Sequence, residues 1–491
     1  MSGDSILIGG KWKSTSRHFN SINPSTEEPL PTVSLAGESE VIEAVDAARA
    51  AQPGWAGLDL WERARILQKV SDLVRSRAQP LKELITREMG RPLFESDIEV
   101  NETADMLKYF ANEGKTALDG ESPVLDSTLF PHKLSMNRYE PLGVIGVIKP
   151  WNYPFELPFW SIGAALLSGN TVVFKPSELT PQVGMEIGRV CQDAGIPAGV
   201  VNVVTGDDST GRLLVKSDVD AISFTGSTKA GQSIFTESGD RLHKLSLELG
   251  GSDPFIVFAD ANLPQAIAGA VWGRYANCGQ VCTAAKRFIV HASVYDSFLD
   301  GLVGAVQKLR IGDGLDPSTD LGPLVSKAQR DNIENIVTDA VKKGAVVKCG
   351  GRVPPSHHKG FFYEPSILTN VTATMRALSE EVFGPVATVQ SFGTEDEAVR
   401  LANDTVYGLG ASVWSSTLHT AVRVANSLRC GMVWVNDINV AYPNCPWGGT
   451  KYSGIGRELS RHGIREFANI KHINIDYGGE PSRPWWYPYK R

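Results

Sequence analysis

Gly143-Val144-Ile145-Gly146-Val147-Ile148-Lys149-Pro150-Trp151-Asn152 is an apolar, β-branched run closed by a lysine and a proline. It reads as a short strand buried on both faces that ends in a loop. Runs of the same kind follow at 171–175, 200–204, 221–225 and 244–248. Segments of helical pattern and length lie between them, such as 180–194 and 229–238. Strands alternating with helices imply right-handed βαβ units and a mainly parallel sheet. In such a sheet ligands bind outside the carboxyl ends of the strands. The chemically interesting residues fall at those ends: Pro150-Trp151-Asn152, Lys175-Pro176-Ser177-Glu178, Gly226 and Glu248.

Outward from this block, a second alternation begins after residue 251. It has a strand at 254–258, a helix at 263–275, a strand at 287–291 and a helix at 293–309, and continues to about 440. This predicts a second α/β domain with Cys282 near its start. No low-complexity linker separates the two, so Gly250-Gly251 marks a close-packed boundary with the site between the domains. Towards the N-terminus, residues 5–12 read as a hairpin turning at Gly9-Gly10, and Asn23-Pro24 starts a loop. Apolar spacing then predicts helices over 40–51, around 66–74 and over 92–113. That part reads as helical scaffold without chemistry. Residues 118–141 form an extended excursion, and 472–476 alternate like a strand ahead of the aromatic tail Pro484-Trp485-Trp486-Tyr487-Pro488-Tyr489. Strand-like pieces outside the main sheets pair with something, and a small sheet shared between subunits is the expectation.

A chain of 491 residues exceeds one hydrophobic core and implies several domains. Its 42% hydrophobic and 21% charged residues are those of an ordinary globular protein. There is no apolar run of membrane-spanning length, and Met-Ser-Gly-Asp-Ser starts no export signal. A net charge of -7 with interleaved signs argues against a nucleic-acid partner. Six cysteines in so long a chain suit a reducing, cytoplasmic setting rather than a disulfide framework. Cys278 and Cys282 lack a second ligand pair at zinc spacing, and His357-His358 lies in a polar loop, so no metal site is read.

Three features carry chemistry. In Asn277-Cys278-Gly279-Gln280-Val281-Cys282, a cysteine follows a glycine where the loop can tighten. A nearby helix N-terminus or base would lower its pKa and make it a nucleophile; otherwise it is a small buried apolar residue. Gly226-Ser227-Thr228-Lys229-Ala230-Gly231 follows a strand and opens a helix, as a pyrophosphate site does, although it departs from the full dinucleotide fingerprint at Thr228. Glu178, three residues after Lys175, would hold ribose hydroxyls and repel a 2'-phosphate, favouring NAD over NADP. Glu248 closes an apolar strand, which raises its pKa and makes it either a general base or half of a buried ion pair.

Together these segments resemble the aldehyde dehydrogenase superfamily over nearly the whole chain. The motifs run in order: Pro150-Trp151-Asn152, Lys175 with Glu178, Phe224-Thr225-Gly226-Ser227, Glu248-Leu249-Gly250-Gly251, Gly279-Gln280-Val281-Cys282, Glu380-Glu381-Val382-Phe383-Gly384-Pro385 and Pro446-Trp447-Gly448-Gly449. The resemblance implies an α/β fold with a Rossmann-like cofactor domain (1–117 and 142–250), a catalytic domain (251–446) and a bridging oligomerisation sheet (118–141 and 471–491). Residues 447–470 would return to the cofactor domain.

It also implies a mechanism. Cys282 attacks the aldehyde carbon, and the Asn152 amide and the Cys282 backbone N–H stabilise the oxyanion, each such donor being worth roughly 3 kcal/mol of barrier. Hydride passes to the nicotinamide, and Glu248 then activates water against the thioester. Lys175, Ser177, Glu178, Gly226, Ser227, Gly231 and Trp151 would line the cofactor site, with Glu381 on the nicotinamide ribose and Phe383 beside it. Cys278 matches no role. Tyr153, Trp160 and Trp447 match an aromatic box for a trimethylammonium group in the betaine aldehyde dehydrogenases, where cation–π attraction holds the ligand. The tryptophan those enzymes often carry six residues before the nucleophile is Ala276 here, and no arginine stands out as a carboxylate clamp. The expected partners are a small aldehyde and further copies of the chain, as a homodimer or homotetramer. The alternatives are a relative that passes the acyl group to coenzyme A or phosphate, against which Glu248 counts, and an inactive binding protein on this fold, against which the intact Cys282, Asn152 and Glu248 count.

Overall fold

The computed structural model describes residues 5–479 together with 486 and 487. The five apolar runs become the strands Val144–Ile148, Thr171–Lys175, Val201–Val203, Ala221–Thr225 and Lys244–Glu248. Every residue of the first three is buried, because helices cover both faces of the sheet. All contacts among the five are parallel. The hairpin Ile6–Ile8 with Lys11–Lys13 extends one edge and Gly454–Ile455 the other, giving eight strands. That hairpin turns at Gly9 and Gly10, both at positive φ.

From Val144–Ile148 the chain steps outward through Thr171–Lys175 to Val201–Val203, then crosses back to place Ala221–Thr225 on the other side. This reversal opens a crevice between the carboxyl ends of Val144–Ile148 and Ala221–Thr225, where a doubly wound sheet binds its ligand. The helix Glu156–Leu167 is buried along its entire length between this sheet and the N-terminal helices. Those helices are Glu38–Ala56, Leu60–Ser76, Ala78–Met89 and Leu93–Asn112. The third was not read from the sequence: only Arg77 separates it from its predecessor, so no loop signal announces it.

The second sheet has seven strands in the order Val346–Cys349, Ser366–Thr369, Val386–Phe392, Ala285–His291, Asp253–Val257, Gly410–Trp414 and Met432–Val435. Only the edge strand Val346–Cys349 is antiparallel. Lys133–Pro141 and Ala468–Asp476 pair into an antiparallel ribbon of their own. Its second strand starts a few residues earlier than the alternation at 472–476 suggests. Apart from Trp486 and Tyr487, the aromatic tail expected to pack on protein lies outside the described residues. Among the described residues no helix is long and apolar enough to cross a membrane.

Candidate active site

Two cavities meet at Cys282. One, of about 330 Å³, fills the switch-point crevice and is lined by Trp151, Asn152, Gly226, Ser227, Glu381 and Phe383. The other, of about 150 Å³, is walled by Tyr153, Trp160 and Trp447 together with Arg91, Glu95 and Glu156. Cys282 and Leu157 belong to both walls.

The turn that carries Cys282 is unusually constrained. Asn277, Cys278 and Gly279 are successive left-handed residues, with φ of 52°, 53° and 70°. A Cβ on Gly279 would lie 2.4 Å from the Arg274 guanidinium and from the Gly384 carbonyl, so only glycine fits. Asn277 donates its backbone N–H to Glu95 (2.7 Å) and its side-chain amide to the Asn152 carbonyl (2.8 Å). Gln280 donates to the Asn277 carbonyl and accepts from the Val325 N–H, and the Asn152 Nδ2 donates to the Gln280 carbonyl at 3.1 Å. Asn152 and the cysteine loop are thereby locked together across 128 residues of sequence. Cys278 is buried beneath them.

Cys282, half-buried where the two cavities meet, lies among charged groups of both signs. Burial pushes its thiol up to about 12; Lys286 opposes that rise, and Asp253, Glu248 and Glu381 add to it. The expected helix N-terminus is absent: Cys282 sits in a turn that feeds the strand Ala285–His291.

Glu248 ends its strand at 4% exposure. Burial, then repulsion from Glu458, hold its carboxyl well above the usual range, against Lys149 and Arg457. It is turned against Gly448, where a Cβ would sit 2.5 Å from Oε1, rather than into either cavity, and that oxygen has no hydrogen-bond partner. Nearby, the Lys149 ammonium pairs with Glu458 at 2.5 Å and donates to Thr225 Oγ1 at 2.7 Å. Ser161 donates to Glu458 at 2.8 Å. Sequence reading found none of this network.

The switch-point cavity suits a dinucleotide. Ser227 caps the helix Thr228–Glu237, its Oγ accepting from the Ala230 N–H, and the remaining N–H groups of that first turn suit an anion. Gly231 lets this helix approach Leu249, which a Cβ would meet at 2.5 Å. Lys175 pairs with the half-buried Glu178 at 3.3 Å and lines a further cavity of about 130 Å³ beside Asp208 and Arg212. Ser177 Oγ accepts from the Leu179 N–H, which leaves its hydroxyl proton to donate. At the far end Glu381 accepts from the Gly251 N–H at 3.0 Å, and Trp151 meets Phe383 edge-to-face at 5.4 Å. Glu381 at one end and the helix terminus along the crevice suit a ribose and a pyrophosphate, and Lys175, paired with Glu178, lies at the further cavity beyond them.

The sequence model of the aldehyde dehydrogenase family matches residues 12–473. The chain belongs to the aldehyde dehydrogenase family. It is 40% identical to a betaine aldehyde dehydrogenase of Bacillus subtilis, over 95% of this chain and 96% of that protein. It is 39% identical to a mitochondrial succinate-semialdehyde dehydrogenase of Oryza sativa, over 95% and 88% of the two chains. A betaine aldehyde dehydrogenase of Staphylococcus aureus, solved in complex with NAD+, superposes with a TM-score of 0.94 at 35% identity, covering 98% of this chain and 97% of that one.

In this aldehyde dehydrogenase the second cavity corrects one expectation. The N-terminal helices are more than scaffold, for Leu93–Asn112 and the residues just before it supply Arg91, Glu95 and Glu102 to the pocket wall. An arginine is therefore present, but it is already engaged. Arg91 pairs with the buried Glu99 at 2.7 Å, donates to the Asn152 carbonyl at 2.6 Å and stacks 4.4 Å above the Tyr153 ring. Trp160 and Trp447 meet edge-to-face at 5.3 Å, and the Trp160 indole N–H donates to Glu156 at 3.1 Å. Burial, opposed by Arg91 and the Asn277 N–H, pushes Glu95 up to about 7. Glu156 is held well above its usual range by burial and by Glu102 and Glu99. Ala276 lines the pocket without filling it, and Trp272, one helical turn earlier, brings an indole to the wall. A tryptophan four residues before a pocket residue on a helix was the signal that could have found it.

Proposed function

We propose that this aldehyde dehydrogenase oxidises a cationic aldehyde to its carboxylic acid with NAD, through a thioester on Cys282. The observation that carries the reading is the position of Cys282, where a dinucleotide-shaped crevice meets an aromatic, acid-rich pocket.

The aldehyde enters beside Tyr153, Trp160 and Trp447. The Cys282 sulfur, once deprotonated, adds to its carbonyl carbon, and the Asn152 amide and the Cys282 N–H receive the oxyanion. Asn152 is preset for this, because one N–H of its amide already donates to the Gln280 carbonyl, which fixes the direction of the other. NAD, when bound, supplies the hydride acceptor. It would be held by the N-terminus of Thr228–Glu237, by Lys175, Ser177 and Glu178 at the adenosine ribose and by Glu381 at the nicotinamide ribose. Glu178 would disfavour the 2'-phosphate of NADP. Glu248, once ionised, then swings from Gly448 towards Cys282 and takes a proton from water, whose oxygen bonds to the thioester carbon as the C–S bond breaks, freeing the acid and the Cys282 thiolate. The high pKa of Glu248 suits a base that must also return that proton, and the neighbouring Lys149–Glu458 pair offers a route for it.

The preference for a cation rests on charge. Glu95, Glu102 and Glu156 line the pocket against the single charge of Arg91, which Glu99 already meets. An ammonium would draw these carboxyls into their ionised form and gain the indole faces, whereas an anionic aldehyde would keep them protonated and gain neither. Assembly is part of the proposal too. The ribbon presents Leu134, Met136, Ile473 and Ile475 on one face, and an isolated two-stranded ribbon is marginal without a partner, so a homodimer or homotetramer follows. The deciding experiment is kcat/KM over a trimethylammonium aldehyde, an aminoaldehyde, hexanal and succinic semialdehyde, each with NAD and NADP. The cations should exceed succinic semialdehyde by at least about tenfold. A preference for the anion would overturn the pocket reading.

A further inference from the structure

Lys286 has no place in the reading above, yet it is among the most completely buried cations of the chain, at 1% exposure. Its Nζ donates to the carbonyl of Cys282 at 2.7 Å, with those of Val281 at 3.3 Å and Ala284 at 3.4 Å completing its shell. The nearest carboxylate oxygen, on Glu381, is 3.9 Å away, beyond hydrogen-bond reach. An ammonium taken out of water without a bonded counter-ion is costly, and an apolar side chain of the same length would fill the space at no such cost. The charge is directed almost wholly at one turn of backbone, the turn that carries the reactive sulfur.

The geometry of a trans peptide gives this grip a consequence. Within one peptide unit the C=O and the N–H point in opposite directions. Drawing the Val281 carbonyl towards Lys286 therefore aims the Cys282 N–H away from it, and drawing the Cys282 carbonyl does the same for the Thr283 N–H. The Cys282 N–H is the backbone donor that would receive the oxyanion. We propose that Lys286 is a positioning residue for this reaction: its ammonium clamps the 281–284 turn, which orients the oxyanion donor and places a positive charge behind the Cys282 sulfur. The proposal rests on Cys282 being the nucleophile. The groups facing this pair are Asp253, Glu381 and Arg274 around Lys286, and Asp253, Glu248 and Glu381 around Cys282. Lys286 is the only one of them named here that favours the thiolate, so its charge matters most where the acids are ionised.

The test compares Lys286→Met, which keeps the volume and removes charge and donors, with Lys286→Arg, which keeps both. Three quantities are read: kcat, the dissociation constant of NAD, and the rate of iodoacetamide alkylation at Cys282 against pH, localised by peptide mass. For Lys286→Met, kcat should fall about 100-fold, the scale of losing one oxyanion donor, while NAD affinity holds within about threefold. Alkylation of Cys282 at mildly alkaline pH should slow about tenfold, because less thiolate is present at each pH. Lys286→Arg should recover most of both losses. A folded Lys286→Met with wild-type kcat and an unshifted alkylation profile overturns the proposal. So does a loss that Arg fails to repair while melting temperature falls in parallel, which marks packing alone. Should Lys286→Met not fold, Lys286→Gln carries the same readouts, and a wild-type alkylation profile there is equally fatal. Turnover surviving in Cys282→Ala would instead defeat the underlying reading, so the two failures are distinguishable.

Discussion

Cys282 and Glu248 pose the same problem at the scale of single residues. On the proposed mechanism each must be charged to act, and burial opposes the charged form of each. A buried carboxyl can accept a proton from water only after it ionises, so the step it serves should quicken as pH rises through its elevated pKa. Glu248→Gln should remove that alkaline limb. It should also separate the half-reactions, giving a burst of about one NADH per site followed by slow turnover. Stopped-flow absorbance measures both phases. Loss of the burst itself would mean that Glu248 instead activates Cys282.

Single elements decide what enters the pocket. Leu93–Asn112 and Glu156–Leu167 cross beside it, one bringing Glu95 and Glu102, the other Glu156 at its first turn. Helix starts favour carboxylates, which gives Glu156 a structural reason to be there as well. Ionising it costs least when a cation is bound. Glu156→Gln retains an acceptor for the Trp160 indole N–H but forfeits the charge. KM for an ammonium aldehyde should rise about tenfold while KM for a neutral aldehyde of equal length stays put. The pH dependence has a definite sign. Glu95 is pushed up to about 7, a bound cation favours its ionised form, and binding therefore releases a proton. KM for the cation should fall as pH climbs through 7, and KM for the neutral aldehyde should stay flat. Parallel profiles for both substrates would remove the carboxylates from the specificity argument.

At the scale of the molecule, two mainly parallel sheets share a site and a ribbon stands apart from both. Its strands come from positions more than 300 residues apart, in register from Pro141 opposite Ala468 to Lys133 opposite Asp476. Leu134 is directly opposite Ile475, so the apolar residues stack on one face. If the ribbon joins subunits as proposed, charges placed there as Leu134→Asp with Ile475→Glu should dissociate the assembly and lower its melting temperature, with the loss growing on dilution. Light scattering on a sizing column reads the mass directly. An unchanged mass would assign assembly to another surface.

How much of this was legible follows from the range of each interaction. A strand buried on both faces announces itself in its own residues, so Val144–Ile148 and its four successors were readable, and so was the crevice at their carboxyl ends. The motif residues at those ends were readable because backbone geometry confines ligands there. The helix Ala78–Met89 was hidden because a single residue divides it from its neighbour. The left-handed run Asn277–Gly279 and the retracted Glu248 depend on Gly384, Glu458 and Gly448, which reach them only in the folded chain. Arg91 reads as a solvated charge until Glu99, Asn152 and Tyr153 surround it. Periodicity and strand ends are local properties, and the sequence by itself determined them. Charge state and pocket character are sums over groups brought together from distant parts of the chain, and those the tertiary structure alone decided.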